Sequence, residues 1–252
     1  MNLKFQPLAA MALALGMGTV QAGATQEVAY ATLAGTVVSF NELATNAFDS
    51  VLLDGLVSSG GVQFGERFAG QELAVAKAPR PGAVAQDWFD DLSFGTPAAG
   101  LTLLAGSAGA NLGAYHYGDA DGAALFGAGP QNPDGSDPSG FGAISARFAS
   151  PIAALGLQLR DADGGAITLQ LYRADGSLIE AIDMSGRSDG RFAFARSGGV
   201  ADIAGFTLTN RDSYYGVSLD NLVLAAAVPE PGTALLFAPG LLALLGLQRR
   251  RR

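Results

Sequence analysis

The chain has 252 residues and a formal net charge of −8, with no cysteine and a single histidine, His116. The acidic balance excludes general affinity for nucleic acid phosphates. The missing cysteines exclude disulfides, thiol nucleophiles and thiolate metal sites, and a Ser-His-Asp triad would have to use His116.

Residues 1–24 read as a secretory signal peptide with a short helical core. Lys4 supplies the positive start, Leu8 to Val20 is apolar, and Ala22-Gly23-Ala24 offers small residues for cleavage after Ala22 or Ala24. Such a leader implies export through the inner membrane.

Residues 25–227 then alternate short apolar-polar runs with glycine, proline and aspartate, in keeping with a chain of 35 glycines, 11 prolines and 15% charged residues. The runs "GTVVSF", "GVQFGERF", "ELAVAK", "LTLLAG", "AISARFA" and "ALGLQLR" predict strands in that order. Helix is compatible with the pattern only in short pieces, for example around Asn41 to Val51. The stretch Gly129 to Gly142 is almost all turn residues and predicts a long surface loop, because strand pattern resumes at Ala143.

The strongest local pattern follows. Ile167, Leu169 and Leu171 alternate with Thr168 and Gln170, Asp175-Gly176 turns, and Leu178 to Ile182 returns as a hairpin. "RFAFARS" and "GFTLTN" each put two apolar side chains on one face. About ten such strands, with no amphipathic helix, predict an all-β fold of one domain: a β-sandwich of jelly-roll type.

The closing run "GVSLDNLVL" contains a phase slip. Val217 and Leu219 share one face, whereas Leu222 and Leu224 fall on the other, so a bulge is expected at Asp220-Asn221. Asp220 then stands among apolar neighbours and requires a partner.

Beyond the body, Gly232 to Leu247 carries no charge. As a helix it would span about 24 Å, slightly short of a typical hydrocarbon core. Residues 228–252 thus predict a short C-terminal transmembrane helix, about 232–247, with Arg249, Arg250, Arg251 and Arg252 as a basic stop held on the cytoplasmic side. The entry to this span is Val228-Pro229-Glu230-Pro231. The two prolines keep Glu230 extended and block helix there.

Val228-Pro229-Glu230-Pro231, the apolar run and the arginine cluster together resemble the PEP-CTERM sorting signal of Gram-negative bacteria. The resemblance covers about the last 25 residues. It implies recognition and cleavage by an exosortase, and a final location at the cell surface or outside the cell. The body, opening on a strand like "VVSFNEL" and closing on "GVSLDNLVL", is similar to lectin-like or carbohydrate-binding-module jelly rolls. That second resemblance implies a structural calcium between the first and last strands.

On that reading Asp220 and Glu42 are candidate calcium ligands, with backbone carbonyls completing the shell. The alternative is that Asp220 or Asn221 satisfies backbone amides at the bulge. Two DADG segments, Asp119 to Gly122 and Asp161 to Gly164, could present carboxylates to calcium but have the ordinary composition of turns. Tyr115 and Tyr117, flanking His116, and Tyr214-Tyr215 are candidate sugar-stacking residues, since both groups lie in turn-rich sequence near aspartate.

Asp90 and Asp91 invite comparison with the paired acids of glycosidases, but adjacent residues of a strand face opposite ways. No catalytic motif is present. The expectation is therefore a non-catalytic exported protein whose partners are an exosortase, the membrane it crosses and extracellular polysaccharide, with calcium as candidate cofactor. The rivals are a secreted glycan-active hydrolase and an adhesive matrix protein with no specific ligand.

Overall fold

A computed structural model describes residues 25–79, 86–130, 141–211 and 216–226. The expected signal peptide (1–24), the expected span near 232–247, the segment Val228 to Pro231, the arginines 249–252 and both Tyr214 and Tyr215 lie outside the described residues. Among those described the fold is all-β and antiparallel, as expected.

The first strands are β1 (Thr25–Val28), β2 (Thr36–Val38), β3 (Ser50–Leu53), β4 (Val57–Ser59), β5 (Val62–Gly65) and β6 (Arg67–Phe68). Then come β7 (Gln71–Pro79), β8 (Gln86–Gly95), β9 (Leu103–Leu104), β10 (Leu112–His116), β11 (Ala123–Gly127) and β12 (Ile144–Ile152). The last are β13 (Ala154–Asp163), β14 (Ala166–Tyr172), β15 (Leu178–Asp183), β16 (Ser188–Arg196), β17 (Ile203–Arg211) and β18 (Ser218–Ala225).

Two large sheets form. One has the order β1-β16-β13-β18-β11-β10-β3, with β2 also on β18; the other has the order β15-β14-β17-β12-β5-β4. Their inner faces share one core, because strict alternation sends every second side chain inward. Leu155, Leu157 and Leu159 of β13 meet the same cluster as Phe206 and Leu208 of β17 and Ile167, Leu169 and Leu171 of β14. Phe148 packs on Phe206 with ring centroids 6.1 Å apart, and Phe40 stands edge-on to Phe64 at 5.3 Å. Each such buried side chain contributes about 1.5–3 kcal/mol of transfer free energy.

The predicted hairpin is β14 and β15. Gly176 takes φ +86° at its turn, and Asp175 Oδ1 accepts the Ser177 amide at 2.9 Å. Asn41 to Val51, one place where a short helical piece was compatible with the sequence, forms turns that lead into β3, which pairs with β10. Phe40 and Phe48 have φ of +59° and +63°, and the Phe48 amide donates to the His116 carbonyl at 2.7 Å. Left-handed backbone at two aromatic residues is incompatible with a right-handed helix through this segment.

The opening and closing strands of the notional sandwich do meet. Val38 stands opposite Leu222 and Thr36 opposite Leu224 in the β2–β18 pair. The first half of β18 pairs instead with β11, Leu219 opposite Leu125. The change of partner falls at Asp220-Asn221. There Gly156 of β13 faces Val223 while Gln158 faces Asp220, so β18 carries one extra residue. This is the expected bulge, and Asn221 adopts φ +44° within it.

Candidate functional site

The bulge turns Asp220 away from the leucine core onto the opposite face of the eight-stranded sheet, yet its carboxylate is fully buried. Oδ1 accepts the Asn221 amide at 2.6 Å, and Oδ2 accepts Asn221 Nδ2 at 3.2 Å. Arg160 Nη1 stands 3.7 Å from Oδ2. Burial pushes the Asp220 carboxyl up to about 7, outweighing the Asn221 amide and the Arg160 charge, which act the other way. The Asn221 carbonyl accepts the Tyr30 hydroxyl at 2.6 Å, which pins the Tyr30 turn over this face.

Around Asp220 the two DADG segments converge. Arg160 of β13 pairs with Asp119 in the loop between β10 and β11, and its guanidinium lies 3.9 Å from the Tyr117 ring centroid. Tyr117 donates its hydroxyl to Asp161 and stands 3.1 Å from Ser218 Oγ. Burial raises the Asp161 carboxyl, opposed by the Tyr117 hydrogen bond. Asp121 is held by Gln158 Nε2 and Arg191 Nη2, each at 3.0 Å. Asp161 sits in the left-handed region, φ +59°, within the irregular end of β13.

Several sequence expectations change here. Tyr115 and His116 belong to β10 rather than a turn, because Leu112 to His116 pairs with β11 and Leu112 to Tyr115 also pairs with β3. Tyr117 is no open stacking platform: Arg160 lies over its ring, Tyr115 stands edge-on at 4.8 Å, and its hydroxyl is engaged. Glu42, in the turn after β2, accepts the Ser59 hydroxyl, while Asp220 is capped by Asn221 and faces Arg160. The alternative role for Asp220, satisfying a backbone amide at the bulge, is the one its contacts display. Among the described residues no group of three or more histidine, cysteine, aspartate or glutamate side chains could hold a metal ion.

Asp90 and Asp91 point apart as expected. Asp90 is buried and accepts the Ala143 amide at 3.0 Å, whereas Asp91 accepts the Ser93 amide at 2.8 Å. Burial pushes the Asp90 carboxyl up to about 7, with nearby Glu66 adding to the rise. Glu66 is itself buried against Arg67 and raised by the same loss of hydration.

Sequence reasoning missed Arg160, Arg191, Gln158 and Glu66. Alternation along "ALGLQLR" does place Gln158 and Arg160 on the face opposite Leu155, Leu157 and Leu159. What the pattern lacks is the long-range partner, since Asp119 and Asp220 lie 41 and 60 residues from Arg160. Comparison with protein-family models gives no match, and comparison with curated proteins gives none either.

Within the described residues, no helix is long and apolar enough to cross a membrane. Chemically, the Asp220 network is a set of carboxylates already neutralised by guanidinium groups and amides. Such a network locks the loop between β10 and β11 and the Tyr30 turn onto the sheet.

Proposed function

We propose that this chain is an exported, non-catalytic protein of the cell surface or extracellular matrix, sorted by an exosortase, with extracellular polysaccharide as its partner. The observation that carries the reading is the order Val228-Pro229-Glu230-Pro231, apolar run, Arg249 to Arg252. β18 ends at Ala225, so only Ala226 and Ala227 separate the closing strand from the motif. Cleavage near the motif would therefore leave the sandwich whole.

The jelly-roll description belongs to the same proposal. Its support is that β11 to β14 alternate between the two sheets, as do β15 to β18. The non-catalytic part of the reading is supported by the Asp220 network, whose acids are committed to guanidinium and amide partners rather than poised in a pair for hydrolysis. Arg160 and Arg191 also supply the positive charge that the sequence reading assigned to calcium, so the proposed function requires no metal.

Mass spectrometry of the mature C-terminus tests the sorting in hosts with and without the exosortase. Loss of the segment after the Pro-Glu-Pro motif only where the enzyme is present supports it. A tail ending in Arg252 in both hosts overturns it.

A further inference from the structure

β1 borders the eight-stranded sheet and β15 borders the six-stranded one. One polar contact ties these two edges across the layers. Glu180 of β15 accepts two hydrogen bonds on a single carboxylate oxygen, Oε2: the Thr25 backbone N–H donates at 2.7 Å and the Thr25 hydroxyl at 2.5 Å. Glu180 stands opposite Leu171, a core residue of β14, so its side chain turns toward the space between the sheets. Thr25 does the same from the other layer, standing opposite Arg196, which is 3% exposed. The contact is partly buried and joins residues 155 positions apart.

Thr25 opens β1 and directly follows Ala22-Gly23-Ala24, the A-x-A arrangement that a signal peptidase cuts after its second alanine. Hydrolysis there adds water across the Ala24–Thr25 peptide bond. The water oxygen goes to the Ala24 carbonyl carbon, leaving a carboxylate on the leader, and the Thr25 nitrogen leaves as a free amine. That amine takes up a proton at neutral pH, because an α-amino group titrates near 8. The atom that already donates to Glu180 then carries a unit positive charge beside a carboxylate, in a partly buried place where salt screens it less. The neighbouring charges do not compete. Arg196 and Arg173 are both committed to Asp202, and Glu27 is held by Arg187. Cleavage after Ala22 would instead leave Gly23-Ala24 in place and keep the Thr25 nitrogen a neutral amide.

We propose that Glu180 is the acceptor for the mature N-terminus: a signal peptidase cuts between Ala24 and Thr25, and the new Thr25 ammonium pairs with Glu180 across the two sheet edges. The proposal rests on the export part of the reading above, and it selects between the two cleavage points that the sequence left open. It is independent of the C-terminal sorting signal. The tie between the sheets reaches full strength only once the leader is gone, so removal of the leader stabilises the folded body.

The test compares the protein exported by its host with the uncleaved full chain produced without export, each as parent and as Glu180→Gln. Mass spectrometry of the exported protein should place its first residue at Thr25. Urea unfolding at pH 7 and low salt then completes a cycle. Glu180→Gln should lower the folding constant about fivefold more in the exported protein than in the uncleaved chain, because only the former has an ammonium to lose. High salt should narrow that difference. Glutamine keeps the shape of the side chain and an oxygen for the Thr25 donors, so the variant retains the fold. A first residue at Gly23 overturns the proposal and leaves export standing. Equal losses in the two chains overturn the ion pair even where the cut falls at Thr25. Retention of Met1 in every fraction overturns both the proposal and the export reading.

Discussion

Arg160 binds Asp119 and faces Asp220, so one guanidinium joins a loop carboxylate, half exposed at 50%, to a strand carboxylate with no exposure at all. The two contacts differ in consequence. Replacing Arg160 by alanine strands the Asp220 charge wherever that buried carboxylate is ionised, and should cost about 3 kcal/mol of stability in urea unfolding above neutral pH. Asp119→Ala removes only the exposed partner and should cost within about 1 kcal/mol. Equal losses in the two variants would show that Arg160 acts through the loop rather than through Asp220.

Stability should fall as pH rises toward neutrality. Burial pushes Asp90 and Asp220 up to about 7 in the folded chain, from an ordinary value of 3.8. The folded state then holds those protons more tightly than the unfolded chain. The resulting stabilisation is complete below about pH 4 and is lost as pH passes through about 7. Asp119, Asp202 and Glu27 act oppositely: with carboxyls held low in the fold, they lend stability above about pH 4 that disappears in stronger acid. Urea midpoints measured from pH 4 to 8 should decline across the upper window, and Asp90→Asn with Asp220→Asn should flatten that decline. A rising profile from pH 5 to 8 in the parent contradicts the burial argument.

Calcium should leave the melting temperature unchanged. Glu42 is occupied by Ser59 and Asp220 by Asn221, with Arg160 supplying the counter-charge. Melting curves in excess calcium and in chelator should therefore coincide. A rise of several degrees in calcium that Asp220→Asn abolishes would instead make Asp220 a metal ligand.

Gly127 marks a close approach of backbones at the end of β11. A Cβ there would lie 2.2 Å from the Gly142 carbonyl oxygen, a backbone atom that cannot swing aside. Gly127→Ala should cost at least about 2 kcal/mol. Gly55→Ala, where a Cβ meets nothing within 4 Å, is the control and should stay within about 0.5 kcal/mol. Thermal unfolding of the two variants side by side decides the matter.

The strands most legible in the sequence were those with one face on the core. Period-two alternation marks β14, β16 and β17 because burial demands an apolar residue at every second position, and Asp175-Gly176 marks the turn after β14. The bulge on β18 was readable for the same reason: a slip in apolar phase has no other backbone solution when both halves must face one core. Less legible were β10 and β11. All five residues of β11 are buried, so "AALFG" shows no alternation, and β10 blends small residues with Tyr115 and His116. The segment before β3 carried enough helix-compatible residues to mislead, until Phe40 and Phe48 entered left-handed backbone to meet the sheet.

The sequence by itself determined the chemistry available to this protein: an acidic chain without thiols, one imidazole, sheet-forming periodicity, and the Pro-Glu-Pro, apolar and arginine order at 228–252. Tertiary structure alone decided which charges meet. Asp119, Arg160 and Asp220 lie on three different elements, and only strand pairing sets Gln158 opposite Asp220 and brings the loop between β10 and β11 over β13. The burial of Asn210, which ends β17 beside Ile167 with its side-chain amide unpartnered among the described residues, was likewise invisible, because its residue type is ordinary at a strand end. Its significance arises from burial without a partner, a property of the space around a side chain that no spacing along the chain encodes.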